Sequence, residues 1–137
     1  MQFEFTDAGR ILAGIALLSI VTIEFGGYFL TRIVRGAVPM TPFQQAFARA
    51  GHAHAGVLVT LGLVGVLYAD LARLDGAVGW LARVGILAAA ILMPGGFFAS
   101  SAGKDRTSPN GAIVLVWVGA ASLAAGALSL GIGVLTS

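Results

Sequence analysis

A chain of 137 residues with 58% hydrophobic side chains, 10% charged ones and a net charge of +2 is far from the roughly 25% charge of a soluble domain. Its mean hydropathy of +0.94 excludes an ordinary water-soluble fold, and so small a positive charge gives no argument for nucleic acid. Cysteine is absent, which excludes disulfides, thiolate metal centres and thiol catalysis.

The apolar residues form four blocks, each about the 20 residues that a helix needs to cross a bilayer. They predict helices over about 10–31, 42–70, 78–101 and 111–135. Strands are excluded, because an open sheet edge cannot survive in hydrocarbon and no alternating pattern exists to close a barrel. The expectation is all-α: one integral membrane four-helix bundle over 1–137, with no soluble second domain. Abundant, scattered glycine suits close helix approach in lipid.

In chain order, residues 1–7 are acidic and lack the basic start of a secretory signal. Thr6 and Asp7 read as caps of the first helix. That helix carries Glu24 and, near its end, Gly26-Gly27. Thr41-Pro42-Phe43-Gln44 predicts a sharp start for the second helix, with Thr as cap, Pro in the first position and Gln three residues after the cap. The chain's two histidines, His52 and His54, follow. An ionisable side chain inside a bilayer is a functional candidate by default.

In the third helix Arg83, near the start, is expected to snorkel to the surface. Met93-Pro94-Gly95-Gly96 is expected to kink the backbone. Ser108-Pro109-Asn110-Gly111 starts the fourth helix, which carries Trp117. Tyr28, Tyr68 and Trp80 read as interface aromatics.

Four spans put both termini on one side, with Arg10, Arg73 and Arg83. The other side holds Arg32, Arg35, Arg49, Lys104 and Arg106, and this excess makes it the cytoplasmic one. The termini are therefore expected outside, in a multi-pass protein of the cell membrane. At 1.5 Å per residue His52 lies about 15 Å from Pro42, and Glu24, Pro94 and Trp117 lie at similar depths from their own helix ends. A single polar pocket in the cytoplasmic half is the expectation.

Positions two apart differ by about 200° around a helix, so His52 and His54 cannot serve one centre. His52 shares its face with Gln45, Arg49, Gly56 and Val59. His54 shares its face with Phe47, Gly51, Leu58 and Leu61. The first face suits a large planar anionic ligand: an imidazole for a metal, a guanidinium one turn nearer water, and a glycine that lets a ring lie close. The second suits packing. Competing readings are plain: a histidine bonded to a carbonyl or headgroup, Glu24 bonded to backbone or paired with Arg49, and Trp117 as packing rather than pocket lining.

Gly26-Gly27, a Pro-containing linker and Phe47-Ala48-Arg49-Ala50-Gly51-His52-Ala53-His54-Ala55-Gly56 resemble the styrene oxide isomerase and hydroxylaminobenzene mutase group. The resemblance covers about residues 26–64, with an echo at Gly95-Gly96-Phe97-Phe98 and Pro109-Asn110. It implies haem b bound by a second-helix histidine, His52 or, as the alternative, His54. The ferric iron would act as a Lewis acid on a small apolar, epoxide-like substrate, and a homo-oligomer, a trimer in the family, is implied. Where the isomerases carry Asn this chain has Leu58 or Thr60, and where they carry Tyr it has Phe97 or Phe98.

On this reading Arg49, Gly56 and Trp117 join the histidines around the cofactor, while Glu24, Thr60 and Phe97 are the candidate catalytic residues. A cofactor of porphyrin size would lie between subunits or on an outward face, since four short helices leave little room for it. Two alternatives are a proton- or ion-conducting transporter or subunit that uses Glu24 and His52, and a structural subunit of a membrane complex.

Overall fold

The structure, a computed structural model, describes residues 4–137; Met1–Phe3 of the acidic N-terminal segment lie outside the described residues. Helix α1 spans Asp7–Val34, α2 Pro42–Leu71, α3 Gly76–Ser101 and α4 Val114–Thr136, the last entered through a 3₁₀ turn at Gly111–Ile113. There is no strand among the described residues. All four helices are long and apolar enough to cross a membrane, so the chain is an all-α, multi-pass membrane bundle.

The helices start where capping chemistry puts them. Thr6 caps α1, its hydroxyl accepting the Gly9 N–H at 2.9 Å. Thr41 and Gln44 form the reciprocal capping box of α2, with Pro42 in the first turn. Asn110 caps the turn into α4 by accepting from the Ala112 N–H. Each cap satisfies backbone donors that a helix start leaves without partners. Helix α3 remains helical through Pro94, which does not interrupt it.

α3 is the central element, packed extensively against α2 and α4, whereas α1 rests mainly on α2 and does not touch α4 among the described residues. The α3–α4 crossing is close because glycine faces glycine. A Cβ at Gly85 would stand 2.6 Å from the Gly126 Cα, and Ser122 donates to the Gly85 carbonyl at 2.8 Å. With no hydrophobic drive between helices in lipid, such close backbone contact is what holds them. The core of buried Ala16, Leu58, Val59, Ala89, Met93 and Val116 draws on all four helices. In α1 the buried residues are Gly9, Ala16 and Ile33, so most of this helix faces outward.

One expectation is overturned. Arg83 does not snorkel; it is 6% exposed. Its Nε and Nη2 hold Asp70 Oδ1 at 2.7 and 2.6 Å, and Nη1 donates to the Leu74 and Gly79 carbonyls. The Asp70 carboxylate also accepts from the Thr6 N–H and hydroxyl. The short α2–α3 connection brings Arg83 back over the last turn of α2. There a charge-assisted pair and backbone carbonyls satisfy its donors better than a path to the headgroups would. Gly9 is needed beside it, since a side chain there would run into Asp70 Oδ2. One cluster thus ties the start of α1, the end of α2 and the start of α3.

Candidate cofactor site

His52 sits where α2 crosses α1, and Gly26-Gly27 forms its seat. A Cβ at Gly27 would lie 3.3 Å from the ring Cε1 and 3.4 Å from Nε2, and one at Gly26 would lie 3.4 Å from Nδ1. The glycine pair therefore lets α1 approach the nitrogen-bearing edge of the ring. The half-buried imidazole makes no hydrogen bond to any described residue.

Beside it runs an open groove of about 670 Å³ lined by His52, Ala53, Gly56, Val57, Thr60, Leu61 and Val64, all from α2. The spacing is that of one helix face, i, i+4, i+8, widened by its neighbours. Relative to the face anticipated from the sequence, the groove is rotated toward Thr60: Val59 is buried in the core and Thr60 is exposed. The Thr60 hydroxyl donates to the Gly56 carbonyl at 2.9 Å, so it presents acceptor lone pairs, not its proton, to the groove.

Arg49 is exposed and without an ion pair among the described residues. It lies about one turn nearer the helix start than His52, some 60° around α2 toward the groove flank. Glu24 is also exposed and pairs neither with Arg49 nor with any other described residue. Helix rotation places Glu24 on that same flank: Phe29, about 140° around α1 from it, lines a different cavity on the opposite side, with Gln44 and Ala48. Glu24 stands roughly 3–5 Å before the glycine pair along α1.

His54 faces the other way. Its Nδ1 lies 2.7 Å from the Ala50 carbonyl, an acceptor to which it donates. Its ring packs 4.9 Å from that of Phe97, which meets Phe47 edge-on at 5.4 Å. Phe97 therefore belongs to the α2–α3 packing and does not reach the groove. Trp117, on α4 and 69% exposed, points outward.

The single pocket expected from depth is thus divided. His52, Gly56 and Thr60 line the groove, Arg49 and Glu24 fall toward its flank by helix rotation without lining it, and His54 with Phe97, and Trp117, lie elsewhere. Equal depth did not imply equal direction, because α3 stands between α1 and α4. Among the described residues no group of three or more His, Asp and Glu could hold a bare metal ion. What the flank offers is one imidazole, one guanidinium, one carboxyl and one hydroxyl around an apolar groove. Comparison with protein-family models, with curated proteins and with solved structures finds no match.

Proposed function

We propose that the chain is a haem b-binding protein of the cell membrane, both termini outside, in which His52 would hold the iron. The observation that carries this reading is a half-buried imidazole that lines an apolar groove, its nitrogen-bearing edge turned to the two small residues of α1 and hydrogen-bonded to no described residue. A ring nitrogen held in hydrocarbon without a partner is costly, and coordination removes that cost. Gly56, one turn on, leaves the groove wall open for a flat ring: a Cβ there would meet nothing within 4 Å. Arg49, nearer the headgroups, suits a propionate, with which guanidinium forms charge-assisted pairs.

Bound there, haem b supplies a Lewis-acidic iron suited to polarising an epoxide oxygen. The residues of the chain do the rest. Val57, Leu61 and Val64 admit a small apolar substrate from the lipid and keep water out. Thr60 offers lone pairs for orientation, and Glu24 offers a carboxyl that can hold a proton on the groove flank. The groove is open along its length, so we infer that a second copy of the chain closes it in a homo-oligomer. Purified protein expressed with ample haem should give a b-type pyridine haemochrome and convert a small aryl epoxide to its aldehyde, both lost in His52→Ala. Colourless wild-type protein would defeat the reading.

The common flank of Glu24 and His52 also favours a second reading, a proton relay through these two groups. Haem-free protein that carries pH-driven flux in liposomes, abolished by Glu24→Gln, would establish it in place of the first.

A further inference from the structure

On the opposite side of the α1–α2 crossing, at the end where the chain concentrates its basic residues, lies a second cavity of about 510 Å³. We propose that it seats the headgroup of a phospholipid carrying both a phosphate and a primary ammonium, a phosphatidylethanolamine-type lipid. The inference is independent of the haem reading.

The cavity has two levels. Its floor is apolar: Phe29 from α1, Met40 from the linker, Ala48 from α2 and Phe98 from α3. Phe98 lies flat against α2 only because residue 51 is glycine, where a Cβ would stand 2.9 Å from the ring. Its rim carries Lys104 and Asp105. These neighbours of opposite sign pair neither with each other nor with any other described residue.

The rim is held in place. Gln44 Nε2 donates to the Ser101 and Gly103 carbonyls at 3.0 and 2.8 Å, and the Thr41 hydroxyl donates to the Arg106 carbonyl. Asp105 adopts φ 49° and Gly103 φ 122°, left-handed turns that keep the loop folded back over the end of α3. The same box that starts α2 therefore fixes the loop that bears the two charges.

Helix ends lie at headgroup level, where basic residues meet phosphate. A headgroup with only negative charge would gain Lys104 and be opposed by Asp105. One with both signs satisfies both. A primary ammonium can donate hydrogen bonds to the Asp105 carboxylate, whereas the quaternary ammonium of choline has no proton to give. The apolar floor then takes the glycerol and the tops of the acyl chains.

The test is native mass spectrometry of the delipidated full chain. It is offered equimolar phosphatidylethanolamine, phosphatidylcholine and phosphatidylglycerol with identical acyl chains. The ethanolamine lipid should be retained about tenfold over each of the others, the lower end for one hydrogen bond to a charged group. Asp105→Asn, which keeps a residue tolerant of the left-handed conformation, should level ethanolamine with choline. Lys104→Gln should weaken retention of all three. Equal retention of the three lipids by the wild type, or an unchanged order in both variants, overturns the proposal. Displacement of the lipid by millimolar free phosphoethanolamine also overturns it, since the site would then serve a soluble ligand.

Discussion

Near the C-terminal end of α2, Asp70 meets the Arg83 guanidinium and the Thr6 N–H and hydroxyl, while Arg83 spends its remaining donors on backbone carbonyls. About 27 Å earlier on the same helix, His52 meets two glycines and no hydrogen-bonding partner among the described residues. Both places put ionisable groups into an apolar bundle. At the first, the chain supplies every partner and the result is a clasp between three helices. At the second, it supplies a glycine seat and a groove and no hydrogen-bonding partner for the nitrogens among the described residues. The difference separates polar groups that hold this fold together from one whose partners the described residues do not supply.

The sharpest way to break that contrast is to remove one member of the clasp. Arg83→Met leaves the Asp70 carboxylate buried without its counter-charge, and a loss of about 3–5 kcal/mol is expected, read by thermal or denaturant unfolding in detergent. Pairing it with Asp70→Leu should restore much of that loss, because a buried pair is often replaceable by apolar groups of similar volume. A drop under about 1 kcal/mol in the single variant would show that water reaches Asp70, and the contrast with His52 would lapse.

Gly85→Ala comes next: its methyl would stand 2.6 Å from the Gly126 Cα, and overpacking of this kind costs about 1–3 kcal/mol. The same unfolding measurement checks it. Gly27→Ala is milder, with a contact at 3.3 Å to an imidazole that can shift. Its stability should change by less than about 1 kcal/mol, while haem affinity falls about tenfold, as for other groups that orient a ligand. Thr60→Val should be the smallest, within about 0.5 kcal/mol for an exposed position. It would change only the polarity of the groove, seen as altered substrate turnover at unchanged haem content.

Much of the fold was legible from residue chemistry. Four apolar blocks gave the four spans, and Thr41-Pro42-Gln44 gave the start of α2 at its observed position, whereas the fourth helix begins not on Ser108-Pro109 but after Asn110, through a 3₁₀ turn. The helices nevertheless run beyond the apolar blocks, α1 from Asp7 and α3 from Gly76; for α1 the Thr6 cap and the polar first turn extend the helix.

The opposed directions of His52 and His54 followed from a two-residue spacing. Their different surroundings did not, since those depend on where α1 and α3 lie. Arg83 shows why. From sequence it was a basic residue near a helix end, and only the return of α3 across the last turn of α2 made it the partner of Asp70. For Trp117 and Phe97 the direction of each side chain is set by packing between helices, which composition does not order.

The account turns on His52, and a haemin titration of purified wild type, His52→Ala and His54→Ala, followed at the Soret band, tests it most directly. The wild type should saturate. His54→Ala should retain the band, since that ring packs on Phe97 and bonds to Ala50. His52→Ala should lose it while its unfolding transition stays near that of the wild type. Wild-type affinity in His52→Ala, or a wild-type protein that takes up no haem, would contradict the assignment of this imidazole as the ligand.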